Sequence, residues 1–155
     1  SGVHLKFKNH LLLRPKEMSK AIFRKKLEDG IVILKLFPGI TKQTVKSILE
    51  MPSIKGVILE TYGSGNAPNE IWFIDLLKKA IAKGVYIIDV SQCIGGSVIL
   101  GQYETSVELK KIGLINGKDI TTESAVAKLM YLLGENILKE EFKTIFEKPL
   151  RGEMS

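Results

Sequence analysis

The sequence is poor in cysteine, in histidine and in long apolar runs. Its one cysteine, Cys93, excludes an internal disulfide bond and a metal site built of several cysteines, and it favours a cytoplasmic location. His4 and His10 have no acidic or cysteine companions at ligand spacing, so neither a metal nor a cofactor is predicted. The apolar runs are too short to span a membrane, and the N-terminal residues lack the apolar stretch of a secretory signal. We therefore expect no membrane partner.

The positive charge is concentrated at the N-terminal end. Residues 1–35 contain nine Lys/Arg and three Asp/Glu, so this segment accounts for the whole net charge of +6. A surface that stacks on nucleic-acid bases needs aromatic side chains among its basic ones, and this segment has only Phe7 and Phe23. We therefore expect no nucleic-acid partner, and interpret the basic segment as a solvated edge or as an arm that packs on an acidic surface.

A strand, a glycine-rich turn and a helix follow one another in the middle of the chain. Residues 57–59 form an apolar run of the kind that a parallel sheet buries on both faces. Gly63 and Gly65 allow a tight turn after it, and Pro68 or Asn69 is expected to open an amphipathic helix that ends near Gly84. Because small ligands bind at such junctions in open α/β sheets, this stretch is the predicted binding region.

The rest of the chain repeats the alternation of strand and helix. Residues 31–37 and 85–90 are predicted strands, and helices are predicted between Thr41 and Pro52 and over residues 102–112, 123–133 and 139–147. Residues 17–28 are ambiguous between a helix and a strand over residues 23–27, and we slightly favour the strand. The pattern predicts an α/β, Rossmann-like three-layer domain with a small, mostly parallel sheet flanked by helices.

Six segments of the chain stand out by their order. They are residues 36–40 (LFPGI), 62–68 (YGSGNAP), 92–93 (QC), 103–104 (YE), 117–125 (GKDITTESA) with 128–129 (KL), and 150–153 (LRGE). In this order they resemble the C-terminal domain of the type I (cytoplasmic-type) bacterial L-asparaginases, and the similarity extends from about Gly30 to Glu153.

The resemblance implies a threonine amidohydrolase that converts L-asparagine to L-aspartate and ammonia. In the family the nucleophilic threonines belong to an N-terminal domain, one of them in a Thr-Gly-Gly-Thr motif. This sequence has no such motif and no Thr-Asp pair, so we expect no catalytic residue in this chain and no activity of the chain alone. Residues 1–30 then correspond to the connector from the missing catalytic domain, and residues 31–155 to the C-terminal α/β domain.

The resemblance also implies two kinds of site residue. Asn66 matches an asparagine of the family's glycine-rich loop, and Glu104 falls near the segment from which a partner subunit's acidic residue can reach the substrate, so both are candidate substrate-binding residues. The resemblance thus implies L-asparagine as a ligand together with the missing domain, and a homo-oligomer, either dimer or tetramer. Cys93 matches a cysteine beside an allosteric asparagine site. Glu60 stands where that site has an arginine, and because a glutamate repels a ligand carboxylate, we expect no asparagine-driven cooperativity.

Simpler interpretations of these residues remain open. Asn66 could cap the following helix, Cys93 could be an inert thiol, and Trp72 and Phe73 are expected in the core or at a subunit interface. Two other functions are also considered. One is a non-catalytic module that senses small molecules such as amino acids or mediates interactions. The other is the asparaginase-like subunit of a tRNA-dependent amidotransferase.

Overall fold

The computed structural model describes residues 9, 20, 22–101, 104–135 and 137–155, except for the side chains of residues 104 and 105. Strands and helices alternate through most of the described chain. In order they are β1 (Ile31–Lys35), α1 (Lys42–Leu49), β2 (Gly56–Thr61), α2 (Ile71–Ala82), β3 (Tyr86–Ser91), α3 (Glu104–Lys111), β4 (Ile115–Asn116), α4 (Thr122–Gly134) and α5 (Lys139–Phe146).

The four strands form one parallel sheet in the order β1-β2-β3-β4. Helices α1, α2 and α3 pack on one face through an apolar cluster that includes Val45, Leu77 and Leu109. Helices α4 and α5 pack on the other face through a cluster that includes Leu129 and Phe142. The predicted three-layer α/β fold is therefore confirmed.

Strand β2 lies at the centre of both apolar clusters. All six of its residues are buried, with Val57 and Leu59 in the cluster under α2 and Ile58 in the cluster under α4. Successive side chains of a strand point to opposite faces, so a strand between two helical layers needs an apolar residue at nearly every position. The run at residues 57–59 meets this requirement, which is why the central strand could be recognised in the sequence.

The predicted strand over residues 23–27 is wrong. Residues 22–30 have no regular secondary structure, and the N–H of Glu28 donates to the carbonyl of Met130 in α4, at 3.1 Å. The segment contacts α4 closely at Gly134, where a Cβ atom would lie 2.2 Å from the carbonyl oxygen of Lys26. The segment therefore packs on a helix, and no strand of the described residues pairs with its backbone.

Strand β4 was not predicted, because residues 116–117 read as a turn. The structure has a two-residue strand at Ile115–Asn116, and its outer edge is covered by α5. Lys143 Nζ donates to the carbonyl of Leu114 at 2.8 Å, and the N–H of Asn116 donates to the Glu147 carboxylate at 2.9 Å. These two side chains satisfy backbone groups that an edge strand otherwise leaves exposed.

Candidate functional site

The predicted binding region lies at the carboxyl ends of the strands, where a turn of residues 62–66 follows β2. Tyr62 and Asn66 form an antiparallel bridge, with each N–H donating to the other residue's carbonyl at 2.8 Å. Gly63 and Gly65 have φ angles of +53° and +107°. Since side chains disfavour positive φ, the two glycines let the chain reverse within five residues.

Asn66 is exposed at the end of this turn. Its Oδ1 atom accepts a hydrogen bond from the N–H of Ala67 at 3.1 Å. The residue lines an open cleft of about 510 Å³, together with the loop after β1 and the start of α2. The cap of α2 is Glu70, so the alternative in which Asn66 caps that helix is wrong.

Glu104 is the first residue of α3. Its side chain lies outside the described residues, so its predicted place in the substrate site stays a prediction.

Glu60 is 8% exposed and is bound on both sides. Lys35 Nζ donates to its Oε2 at 2.9 Å, and the Thr122 hydroxyl donates to its Oε1 at 2.6 Å. Burial opposes ionisation of this carboxyl group. The hydrogen bonds from Thr122 and Lys35, together with the charge of Lys35, outweigh burial, so the pKa of Glu60 lies below the ordinary glutamate value. An ionised acid therefore lies near the carboxyl end of β2.

Cys93 is exposed and lies beside a second cavity, of about 340 Å³. The loop of residues 91–96 and the start of α4 line this cavity, and Thr122 belongs to the lining. Glu60 is thus linked through Thr122 to the cavity that holds Cys93. Glu60 itself does not belong to the lining of that cavity, and Asn66 lies in the separate cleft.

Gln92 connects the ends of three strands. Its Nε2 group donates to the carbonyl of Leu36 at 2.7 Å and to the carbonyl of Glu60 at 2.8 Å. The side chain therefore fixes the spacing between the strand ends that frame the two cavities.

A buried pair, Thr61 and Asp89, was missed in the sequence. Both residues are 0% exposed, and the Thr61 hydroxyl donates to Asp89 Oδ1 at 2.6 Å. Burial raises the pKa of Asp89 to about 7, although the hydrogen bond from Thr61 acts in the opposite direction. Asp89 Oδ2 has no hydrogen-bond partner among the described residues. An acidic residue inside the apolar run 85–90 was the signal that could have identified it.

In the described ranges, no group of three or more His, Cys, Asp or Glu residues could hold a metal ion. No helix of the described chain is both long enough and apolar enough to cross a membrane.

Comparison with known proteins gives the family. Residues 30–146 match the glutaminase/asparaginase C-terminal domain. The chain belongs to that family. The resemblance to type I L-asparaginases is thereby confirmed. The proteins to which the chain is similar include both L-asparaginases and an amidotransferase subunit.

Three curated relatives with different names are similar to the chain. L-asparaginase 1 of Escherichia coli (strain K12) is 35% identical over 125 residues, which are 81% of this chain and 37% of that protein. The mouse 60 kDa lysophospholipase is 32% identical over 155 residues, which are 99% of this chain and 27% of that protein. A subunit of the glutamyl-tRNA(Gln) amidotransferase of Pyrococcus abyssi is 33% identical over 130 residues, or 84% of this chain and 29% of that protein.

The fold matches a solved structure of the same family. The crystal structure of L-asparaginase I from Vibrio cholerae superposes with a TM-score of 0.77 at 38% sequence identity, covering 83% of this chain and 38% of that chain. This chain therefore spans less than two fifths of the length of the relatives to which it is similar.

Proposed function

We propose that this chain is the C-terminal domain of a cytoplasmic L-asparaginase, in which it completes the substrate site and forms subunit contacts. The observation that carries the proposal is the exposed position of Asn66 at the 62–66 turn, in a member of the asparaginase family. An asparagine amide both donates and accepts hydrogen bonds, and a carboxylate at Glu104 would pair with the α-ammonium group of an amino acid. Both groups suit L-asparagine.

The chemical step belongs to groups that this sequence does not contain. A threonine hydroxyl becomes a nucleophile only when a base takes its proton, and the oxyanion that forms needs donors placed around it. The sequence has no Thr-Gly-Gly-Thr motif and no Thr-Asp pair. In this proposal residues 1–30 are the connector from the catalytic domain, residues 31–155 are the C-terminal domain, and the chain alone is inactive.

Exposed apolar side chains at the cleft support a subunit or domain contact there. Phe37 is 51% exposed and lines the cleft that holds Asn66, and Ile71 at the start of α2 is 80% exposed. Exposed apolar side chains at a cleft suit a contact with another domain or subunit. A homo-oligomer, either dimer or tetramer, is the assembly we propose.

The test is a chimera in which this chain replaces the matching C-terminal part of E. coli L-asparaginase 1. We expect the chimera to release ammonia from L-asparagine and the 155-residue chain alone to release none. Asn66→Ala in the chimera should lower kcat/KM about tenfold or more, equivalent to about 1.4 kcal/mol. Asn69→Ala is the matched control, because Asn69 is exposed in the same cleft.

Two results would contradict this proposal. Ammonia release by the chain alone would show that the nucleophile is present after all. An Asn66→Ala chimera as active as the Asn69→Ala chimera would remove Asn66 from the substrate site.

We also propose that asparagine does not act as an allosteric activator of this protein. The Glu60 carboxylate, held by Lys35 and Thr122, offers no cation to a ligand carboxylate. The rate of the chimera should therefore depend hyperbolically on asparagine concentration. A sigmoidal curve that Cys93→Ala flattens would count against this.

The similarity to the amidotransferase subunit of Pyrococcus abyssi supports a second candidate function. In that case the ammonia would pass to a tRNA-dependent partner enzyme, and release into solution would be slow without it. A third candidate, a sensing module, would bind asparagine or aspartate with no hydrolysis in any chimera. Ammonia release by the chimera without any tRNA would favour the L-asparaginase.

A further inference from the structure

Asp89 lies directly beneath the turn that presents Asn66. A Cβ atom on Gly65 would be 3.6 Å from Asp89 Oδ2, so the turn covers this oxygen closely. On the other side, the Thr61 hydroxyl contacts Asp89 Oδ1 at 2.6 Å and the carbonyl of Val90 at 3.2 Å. One oxygen of the carboxyl group is thus bonded, and the other has no partner among the described residues.

Two backbone donors at the turn are already used. The N–H of Gly65 donates to the carbonyl of Tyr62 at 3.1 Å, and the N–H of Ile99 donates to the carbonyl of Ser64 at 3.0 Å. A neutral carboxyl group is tolerated in such surroundings, whereas a buried carboxylate needs several donors. The closed turn is therefore matched to the neutral form of Asp89.

No charged side chain of the described residues compensates a charge on Asp89. Alternation along β3 places its side chain on the α2 and α3 face, whereas Glu60 of β2 is held by Lys35 and Thr122. The neutral Asn116 lies opposite Asp89 in β4, and the inward residues of the helices over this face carry no charge: Phe73 and Leu77 of α2, and Ser106 and Leu109 of α3. Three charged residues of α3 are directed outward: Glu108, Lys110 and Lys111. Lys118 directs its Nζ to the carbonyl of Ser155.

We propose that Asp89 is a positioning residue for Asn66, and that loss of its proton opens the 62–66 turn. The carboxylate then accepts hydrogen bonds from the N–H groups that hold the turn closed, or from water that enters the opened turn. The opening of the turn is independent of the proposed asparaginase function. Its effect on substrate binding rests on that function.

The direction of the pH dependence follows from burial. The pKa of Asp89 is about 7 in the fold, compared with an ordinary value of 3.8. Between these values the folded protein holds a proton that the unfolded chain has lost. The contribution of Asp89 to stability is therefore fully present below pH 3.8 and is lost as the pH rises through about 7.

Trp72 provides the measurement, since it is the single tryptophan and lines the same cleft as Tyr62 and Asn66. We expect its fluorescence to change between about pH 5 and about pH 9, with a midpoint near pH 7. Asp89→Asn should abolish this transition. Thr61→Val should move the midpoint to higher pH, because the Thr61 hydroxyl stabilises the carboxylate.

Asp75→Asn is the matched control. Asp75 is an exposed carboxylate on α2, near Trp72 in sequence, and its substitution should leave the transition unchanged. A transition that persists in Asp89→Asn would belong to another group, such as His4 or His10, and would overturn the proposal, as would a flat wild-type profile. If Asp89→Asn fails to fold, an unchanged midpoint in Thr61→Val overturns it.

The chimera connects the turn to the substrate. There the KM for asparagine should rise above pH 7 in the wild type and stay constant in Asp89→Asn. A Trp72 transition in the isolated chain without any activity of the chimera would refute the proposed function and leave the role of Asp89 in the turn intact. Activity of the chimera without the Trp72 transition would refute the role of Asp89 in the turn and leave the proposed function intact.

Discussion

Lys128 is a buried lysine whose ammonium group is bound by the C-terminal residues. Its Nζ lies 2.6 Å from Glu153 Oε1 and 2.6 Å from the carbonyl of Lys148, and it sits 5.0 Å from the centre of the Phe146 ring. Glu153 in turn accepts the N–H groups of Leu150 and Arg151. A buried charge is costly unless it is paired, so these contacts fix the chain end on α4.

The Glu153 carboxyl group should make the free energy of unfolding depend on pH in the acidic range. Burial opposes its ionisation, but the hydrogen bonds from Lys128 and from backbone N–H groups hold its pKa at about 2, against an ordinary 4.5. Its contribution is therefore present above pH 4.5 and is lost as the pH falls through about 2. Glu153→Gln should lower the free energy of unfolding by on the order of 3 kcal/mol at neutral pH, measured by urea denaturation.

The pH dependence distinguishes this effect from a simple packing defect. The difference between wild type and Glu153→Gln should shrink as the pH falls from about 4.5 to about 2. A difference that stays constant with pH would contradict it. Glu108→Gln is the control, because its ion pair with Lys111 is half exposed, and it should cost less than about 1 kcal/mol.

The candidate residues differ in how far the sequence could reveal them. Asn66 and Cys93 stand in loops after recognisable strands, so their placement at the carboxyl ends of the strands was predictable. The Thr61–Asp89 contact joins residues 28 positions apart. It exists because the register of β2 and β3, which pairs Thr61 with Ser91, places Thr61 diagonally opposite Asp89. Strand register depends on packing of the whole sheet, which a local pattern does not contain.

Helix α4 holds two other segments of the chain in place. The C-terminal residues bind it through Lys128, and residues 26–28 cross it next to Gly134 and Met130. Because a glycine weakens a helix, its presence at the last position of α4 calls for a reason in packing. The close approach of the Lys26 carbonyl is that reason.

Gly134→Ala should detach the segment that crosses α4. Alanine favours a helix by about 1 kcal/mol over glycine, but its Cβ would lie 2.2 Å from the Lys26 carbonyl oxygen, and backbone cannot move away as a side chain can. We expect a net loss of about 1–3 kcal/mol, and faster trypsin cleavage after Arg24, Lys25 and Lys26. Glu123→Ala, at an exposed position of the same helix, should leave both measurements nearly unchanged. A more stable and equally resistant Gly134→Ala would refute this account.

Elements with a long apolar pattern were predictable, and short or irregular ones were not. Strand β3 and helix α4 were located to within a few residues, since each has several buried residues at regular spacing. Strand β4 has only two residues, which carry no period. Residues 23–27 have apolar side chains at their ends, but three basic residues between them leave no apolar face for a sheet.

At the scale of the whole molecule, the described residues form two apolar clusters separated by one sheet. Phe73 and Leu77 belong to one cluster, and Phe142 and Phe146 to the other. Since β2 and β3 contribute side chains to both clusters, a substitution that weakens packing on one face should also destabilise the other. Folding is therefore expected to be a single cooperative transition.

Phe142→Ala tests this cooperativity. Phe142 is 1% exposed and stacks on Tyr86 with a centroid separation of 3.8 Å, so its removal should cost about 3–5 kcal/mol. The urea midpoint should fall equally by far-ultraviolet circular dichroism and by Trp72 fluorescence, although Trp72 packs on the opposite face. Two separate midpoints would show that the clusters unfold independently. Ile71→Ala, at an 80% exposed position, should change stability by less than about 0.5 kcal/mol.

The cover that Lys143 and Glu147 provide over β4 makes the two edges of the sheet unequal. At the β1 edge, the backbone groups of Gly30 and Leu36 bond toward β2. The N–H and C=O groups of the intervening Ile31, Ile33 and Lys35 therefore point away from β2. No strand of the described residues pairs with them there. The sheet can thus lengthen in one direction, and a strand supplied from outside the described chain would be templated by β1, with the half-exposed Ile33 at its centre.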